Sequence, residues 1–149
     1  MPVVYGAERP GHRVAPGSVR QFLVGAQTGA TAVSVIPSEW QPGYGPGPHQ
    51  HEHEEVFLFL EGTGEGGVGE EQVTICPGAA VIIPPRTTHW FKNTGATPMR
   101  QVVVLASAQY TGPVGDAPLA EDDPRPLVCL PGHHHEAVPS APKLSQALR

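Results

Sequence analysis

Glycine and proline fall so regularly along this chain that no window before its last dozen residues keeps a 3.6-residue apolar period. There are 18 of each in 149 residues, and short runs rich in valine, isoleucine, leucine and phenylalanine lie between them. Runs of that kind are strands bounded by turns, so the expected fold class is all-β, a sandwich or a small barrel. With 39% hydrophobic residues the chain can bury one core and has little room for a second domain.

Residues 1–18 read as an irregular N-terminal arm with a short strand at Val3–Tyr5. Gln21–Gly25 and Ala30–Ile36 read as the two halves of a hairpin. Residues 37–48 read as a turn-rich loop. Strands then follow at Glu54–Glu61, Gln72–Cys76, Ala80–Ile83, His89–Asn93 and Arg100–Ser107, which puts the β domain at residues 19–111. Residues 112–149 form a proline-rich C-terminal extension with an acidic patch, Glu121-Asp122-Asp123. Its apolar piece, Leu127–Leu130, is expected to dock on the barrel, and Lys143–Arg149 has the length of one marginal helical turn.

The net charge of -5, with no cluster of lysine or arginine, argues against a nucleic-acid partner. No apolar run approaches the ~20 residues that span a bilayer, and the first residues lack a signal-peptide pattern. The expectation is a cytoplasmic protein without a membrane partner. Cys76 and Cys129 have neither a disulfide framework nor CxxC spacing, and read as small apolar residues.

The eight histidines are the compositional anomaly. In His49-Gln50-His51-Glu52-His53-Glu54-Glu55-Val56-Phe57-Leu58-Phe59 the odd positions carry three imidazoles, a carboxylate and two aromatic rings. Strand parity places them on one face. Polar groups buried beside phenylalanines need a partner, and a divalent metal suits imidazole and carboxylate together. His89 shares its face with Phe91 and Asn93 in the same manner. The triplet His133–His135 cannot converge on one site in extended chain and reads as a solvated tract.

These two segments resemble the motifs of the cupin superfamily. Gly43, His49, His51, Glu55 and Gly62 meet the first motif, G-x5-H-x-H-x3-E-x6-G, without a gap. Gly78, Pro84, His89 and Asn93 meet the second, G-x5-P-x-G-x2-H-x3-N, in register, while Arg86 stands where the family has glycine. The resemblance implies a small jelly-roll β-barrel of the compact single-domain type. It also implies one divalent ion (Fe, Mn, Ni, Zn or Cu) held by His49, His51, Glu55 and His89. His53 is not a ligand position in the family, and Glu52 and Glu54 are expected to face solvent.

Four such ligands leave coordination positions open, which is the arrangement of a site that does chemistry. The expected function is a metal-dependent enzyme on a small oxygenated or anionic molecule, either a dioxygenase or a non-redox lyase, isomerase or cyclase. The alternative is a cupin that binds or senses a small molecule without catalysis. Parity makes Phe57, Phe59 and Phe91 the expected pocket lining. Arg86 could reach an anionic substrate, and Trp40 and Tyr44 could close the mouth. The apolar outer positions Val56, Leu58 and Leu60 imply a homodimer.

Overall fold

The computed structural model describes residues 3–6, 9, 11–110, 120–123 and 127. Ten strands run through it: β1 (Gly11–Ala15), β2 (Ser18–Arg20), β3 (Ser34–Trp40), β4 (Glu55–Glu61), β5 (Gly64–Val68), β6 (Glu71–Ile75), β7 (Ala80–Ile83), β8 (His89–Asn93), β9 (Met99–Leu105) and β10 (Ala120–Asp123). They form two antiparallel sheets, one in the order β10-β1-β2-β3-β9-β4-β7 and one in the order β6-β5-β8. This is the all-β jelly-roll expected. The sheets pack around Ile36, Trp40, Phe57, Phe59, Ile75, Ile83, Phe91, Met99 and Val103. Each phenylalanine removed from water there contributes on the order of 1.5–3 kcal/mol. Trp40, Phe57, Phe59 and Phe91 hold one another at ring separations of 4.7–6.5 Å, within the range where aromatic pairs attract.

Alternation along β4 places its residues as parity requires. Glu55, Phe57 and Phe59 are buried, whereas Leu58 and Leu60 are 41% and 46% exposed. The register carries the outer pattern across neighbouring strands. Val35, Val104, Val56 and Ile82 stand opposite one another on β3, β9, β4 and β7, and Pro37, Val102, Leu58 and Ala80 form the next row. Beyond them the charged trio Glu39, Arg100 and Glu61 takes over, with the Arg100 Nε donating to the Glu39 carboxylate at 3.0 Å.

Several local expectations are corrected. Val3–Tyr5 is not a strand; the arm instead supplies β1 at Gly11–Ala15 and the start of β2 at Ser18. Gln21–Gly25 and Ala30–Ile36 meet as a hairpin through the Val24–Val35 bridge and a bond from Leu23 N–H to Val35 C=O, closed by a 3-10 turn at Ala26–Thr28. Strand β3 runs on through Pro37 to Trp40, into the segment expected to be loop. In the C-terminal extension the strand is β10, over the acidic patch, and it pairs with β1. Leu127 is buried. The remainder of Leu127–Leu130, together with Cys129, His133–His135 and Lys143–Arg149, lies outside the described residues.

Residues 43–49 have the proline content of a loop and the hydrogen bonding of an edge strand. Gly43 N–H donates to Asn93 C=O, Asn93 N–H to Tyr44 C=O, Phe91 N–H to Pro46 C=O, and His49 and His89 exchange both bonds, all at 2.9–3.2 Å. Pro46 and Pro48 have no N–H to give, so the ladder is interrupted but its register persists. At Gly45, a Cβ would collide with the Phe91 carbonyl. The first motif is thereby laid along the free edge of β8, which carries the second.

Candidate metal centre

Four side chains from these two segments converge: His49 and His51 from the end of the proline-broken segment, Glu55 from the first position of β4, and His89 from the first position of β8. One ligand-type atom from each lies within 4.8 Å of all the others. Glu55 is flanked in register by Leu105 on β9 and Ile83 on β7, so its carboxylate sits among aliphatic neighbours. His51, Glu55 and His89 are 6%, 2% and 0% exposed.

Main-chain acceptors determine which ring nitrogen faces the centre. His49 Nδ1–H donates to Gly47 C=O at 2.8 Å and His89 Nδ1–H to Thr87 C=O at 2.9 Å. A carbonyl accepts only, so each ring turns a bare Nε2 lone pair inward. The Nε2 atoms of His89 and His51 then lie 3.0 and 3.5 Å from Glu55 Oε2. All three are buried atoms without a hydrogen-bond partner. The bare lone pair of His89 Nε2 and the Glu55 carboxylate repel at 3.0 Å unless a cation stands between them, and three imidazoles with one carboxylate form a donor set for divalent Zn, Fe, Mn, Ni or Cu. The residues therefore fit the ion that the motifs imply. Burial, ahead of the neighbouring imidazoles, holds His49 below its ordinary pKa, and burial does the same at His51. Both shifts keep the rings neutral and available as ligands.

Beside the centre lies a cavity of about 10 Å³, close to the space of one water, lined by Arg20, Ile36, His49, Glu55, Phe57, Val103 and Tyr110. Of the expected pocket residues, Phe57 lines it. Phe59 and Phe91 lie behind it in the core, 0% and 1% exposed. Tyr44 is 45% exposed, with its ring over Gly17, so it lies against the β1–β2 turn and away from the cavity. Trp40 is buried against Phe57 and Phe91. Arg86 does not reach the cavity either. Its side chain is 74% exposed and paired with Glu52, NH2 to Oε2 at 2.8 Å. What position 86 gives the site is its backbone, with φ at 60° and an N–H that donates to His51 C=O at 2.7 Å. His53, Glu52 and Glu54 face solvent, as expected.

Arg20 and Tyr110 were not anticipated from the sequence. An arginine amid Ser-Val-Arg-Gln and a tyrosine before Thr-Gly-Pro carry no local signal, and only the fold brings β2 and the segment after β9 to the same mouth. Arg20 donates to the Tyr110 hydroxyl, and its guanidinium carbon lies 5.6 Å from the centre of the Tyr110 ring. The Tyr110 and His51 rings are 6.3 Å apart.

A jelly-roll whose motif histidines and glutamate meet at one centre is the defining arrangement of the cupins. The cupin-domain family model matches residues 38–105, so this segment of the chain is a cupin domain. No curated protein matches it at the sequence level. Among solved structures it is similar to KdgF from Halomonas sp., at 20% identity and a TM-score of 0.60, covering 69% of this chain and 93% of that one. It is also similar to a predicted oxalate decarboxylase from Thermotoga maritima, at 21% identity and a TM-score of 0.64, covering 70% and 98%. A third similar structure is the polyketide cyclase RemF from Streptomyces resistomycificus, at 25% identity and a TM-score of 0.58, covering 70% and 78%.

Proposed function

We propose that this chain is a metal-dependent enzyme acting on a small oxygen-bearing molecule at the centre formed by His49, His51, Glu55 and His89. The observation that carries the reading is the set of three buried, unpartnered ligand-type atoms, His51 Nε2, Glu55 Oε2 and His89 Nε2, in a group whose ligand atoms lie within 4.8 Å of one another. A structural zinc site is a closed tetrahedron, commonly built with cysteine, whereas this donor set beside a cavity leaves positions for a substrate. A divalent ion held there supplies Lewis-acid or redox chemistry to an oxygen-donor ligand. The chain's own residues orient the imidazoles through Gly47 C=O and Thr87 C=O. Ile36, Phe57 and Val103 exclude bulk water from one side.

The similar structures include proteins named as a predicted oxalate decarboxylase and a polyketide cyclase, which supports small-molecule chemistry on this fold and does not choose between the oxygen-dependent and the non-redox branch. Two further parts of the proposal concern setting and assembly. An exposed free thiol at Cys76 suits a reducing cytoplasm. The two aliphatic rows on the outer face of β3, β9, β4 and β7 suit a homodimer with a second copy on that face.

The test is reconstitution with Fe, Mn, Ni, Zn and Cu separately, followed by a small-molecule turnover screen with and without oxygen. Oxygen consumption selects the dioxygenase branch, and anaerobic turnover the lyase, isomerase or cyclase branch. A protein that takes up none of the five ions overturns the reading.

A further inference from the structure

The mouth of the centre holds a cation that neither the motifs nor the core explains. Arg20 projects from the last position of β2 into the lining shared with His49 and Glu55. It takes part in no ion pair among the described residues, and its hydrogen-bond partner is the Tyr110 hydroxyl. A second, larger cavity of about 370 Å³ opens on its other side, lined by Val14, Ala15, Pro16 and Ser18 and by residues 45–49. Arg20 and His49 line both. The arginine therefore stands where an outer groove of small-ligand size meets the metal centre.

Charge decides what such a junction would hold. With the ion bound, its two positive charges are offset by the single carboxylate of Glu55, since the imidazoles are neutral ligands, and Arg20 adds one more positive charge. A half-enclosed cavity walled by Ile36, Phe57 and Val103 cannot hold that excess without an anion. The donors are already in place. Tyr110 oxygen accepts from Arg20, which leaves the phenol O–H free to donate, and the guanidinium retains further N–H groups in a fork suited to a carboxylate. The inner cavity is about one water in size, so a ligand that engages the centre must extend past Arg20 into the groove.

We infer that Arg20, with the Tyr110 hydroxyl, binds a carboxylate of the substrate, and that the substrate is a small carboxylic acid whose second oxygen group chelates the metal. This rests on the metal reading of the site and specifies its substrate class. Arg20 and Tyr110 are both binding residues here, and the bond from Arg20 to the Tyr110 oxygen holds the guanidinium at the mouth.

The experiment uses full-length protein loaded with cobalt(II), whose visible bands report ligands entering the coordination sphere. Oxalate is the carboxylate probe, catechol (which chelates through its oxygens with release of phenolic protons) the probe without a carboxylate, and imidazole the probe of an open position. Arg20→Met should weaken oxalate at least tenfold while cobalt content and imidazole affinity stay at wild-type values. Arg20→Lys, which keeps the charge but not the fork, should recover part of the loss. Equal oxalate affinity in wild type, Arg20→Met and Arg20→Lys overturns the inference. So does a wild-type protein that binds catechol and not oxalate, and in that case the metal centre stands and the substrate class falls. Failure of the wild-type protein to retain cobalt overturns the metal reading itself, and is read from cobalt content before any probe is added.

Discussion

The main chains of His49 and His89 bond to each other in both directions, at 3.0 and 2.9 Å, so the two motifs are joined through their own ligand residues. The positions of these side chains are fixed by backbone, and removal of one imidazole leaves that ladder intact. We expect His89→Ala to fold, to lose most of its divalent metal by elemental analysis, and to lose the rise in melting temperature that added metal gives the wild type. That rise corresponds to about 2.7 kcal/mol when free metal is a hundredfold above its Kd. Wild-type metal content in His89→Ala would sink the ligand assignment.

Glu55 yields a prediction of opposite sign in the two states. Without metal, its Oε2 faces the bare Nε2 of His89 at 3.0 Å. A glutamine turns an N–H toward that lone pair. Glu55→Gln should therefore stabilise the metal-free protein by about 0.5–1.5 kcal/mol, the worth of one net hydrogen bond, and reduce the stabilisation by metal. Urea titrations of both forms, with and without chelator, check it.

The metal-free protein should lose stability in mild acid. Burial lowers the pKa of His49 and of His51 below 6.5, so the unfolded chain takes up protons there that the folded chain resists. Stability is then flat above about pH 6.5 and falls as pH drops below it. Denaturation midpoints from about pH 8 to about pH 5 should show that decline, and the double variant His49→Gln, His51→Gln should flatten it.

The outer face makes assembly testable. Ile82 is 63% exposed and Leu58 41%, on adjacent strands of the same patch. Light scattering at micromolar concentration should give a dimer for the wild type and a monomer for Leu58→Glu, Ile82→Glu. A wild-type monomer mass counts against the assembly.

Removal of β10 is a separate matter of stability. A chain ended after Ala117 loses the strand that pairs with β1 and the buried Leu127, and its melting temperature should fall by several degrees. A chain ended after Ser140 keeps both and should melt with the full-length protein. Identical melting of the two truncations would mean that β10 contributes nothing.

The centre was legible in the sequence because its residues sit at fixed spacings on two segments, and the alternation of β4 was visible in Glu-Val-Phe-Leu-Phe-Leu. Strand β5 was not. Gly64-Glu65-Gly66-Gly67 lies between the strands expected at Glu54–Glu61 and Gln72–Cys76, with no strand expected there, yet it pairs with β6 and β8 along its whole length. A side chain at Gly66 would overlap the Phe91 ring, and one at Gly67 would press on the Trp90 indole at 2.5 Å. Those glycines are the space the aromatic residues of β8 occupy, a long-range requirement that local propensity does not encode. Arg86 misled for a related reason: its position works through backbone φ and an N–H, while its side chain turns outward to Glu52.

All four converging ligand-type residues fall inside residues 38–105, the span the cupin-domain model covers, whereas Arg20 and Tyr110 fall on either side of it. The metal ligands and the two mouth residues therefore belong to different stretches of the chain. Likeness confined to that span compares the metal ligands and leaves Arg20 and Tyr110 out of account. Two cupins with the same centre are better told apart by what stands at the end of β2 and just beyond β9.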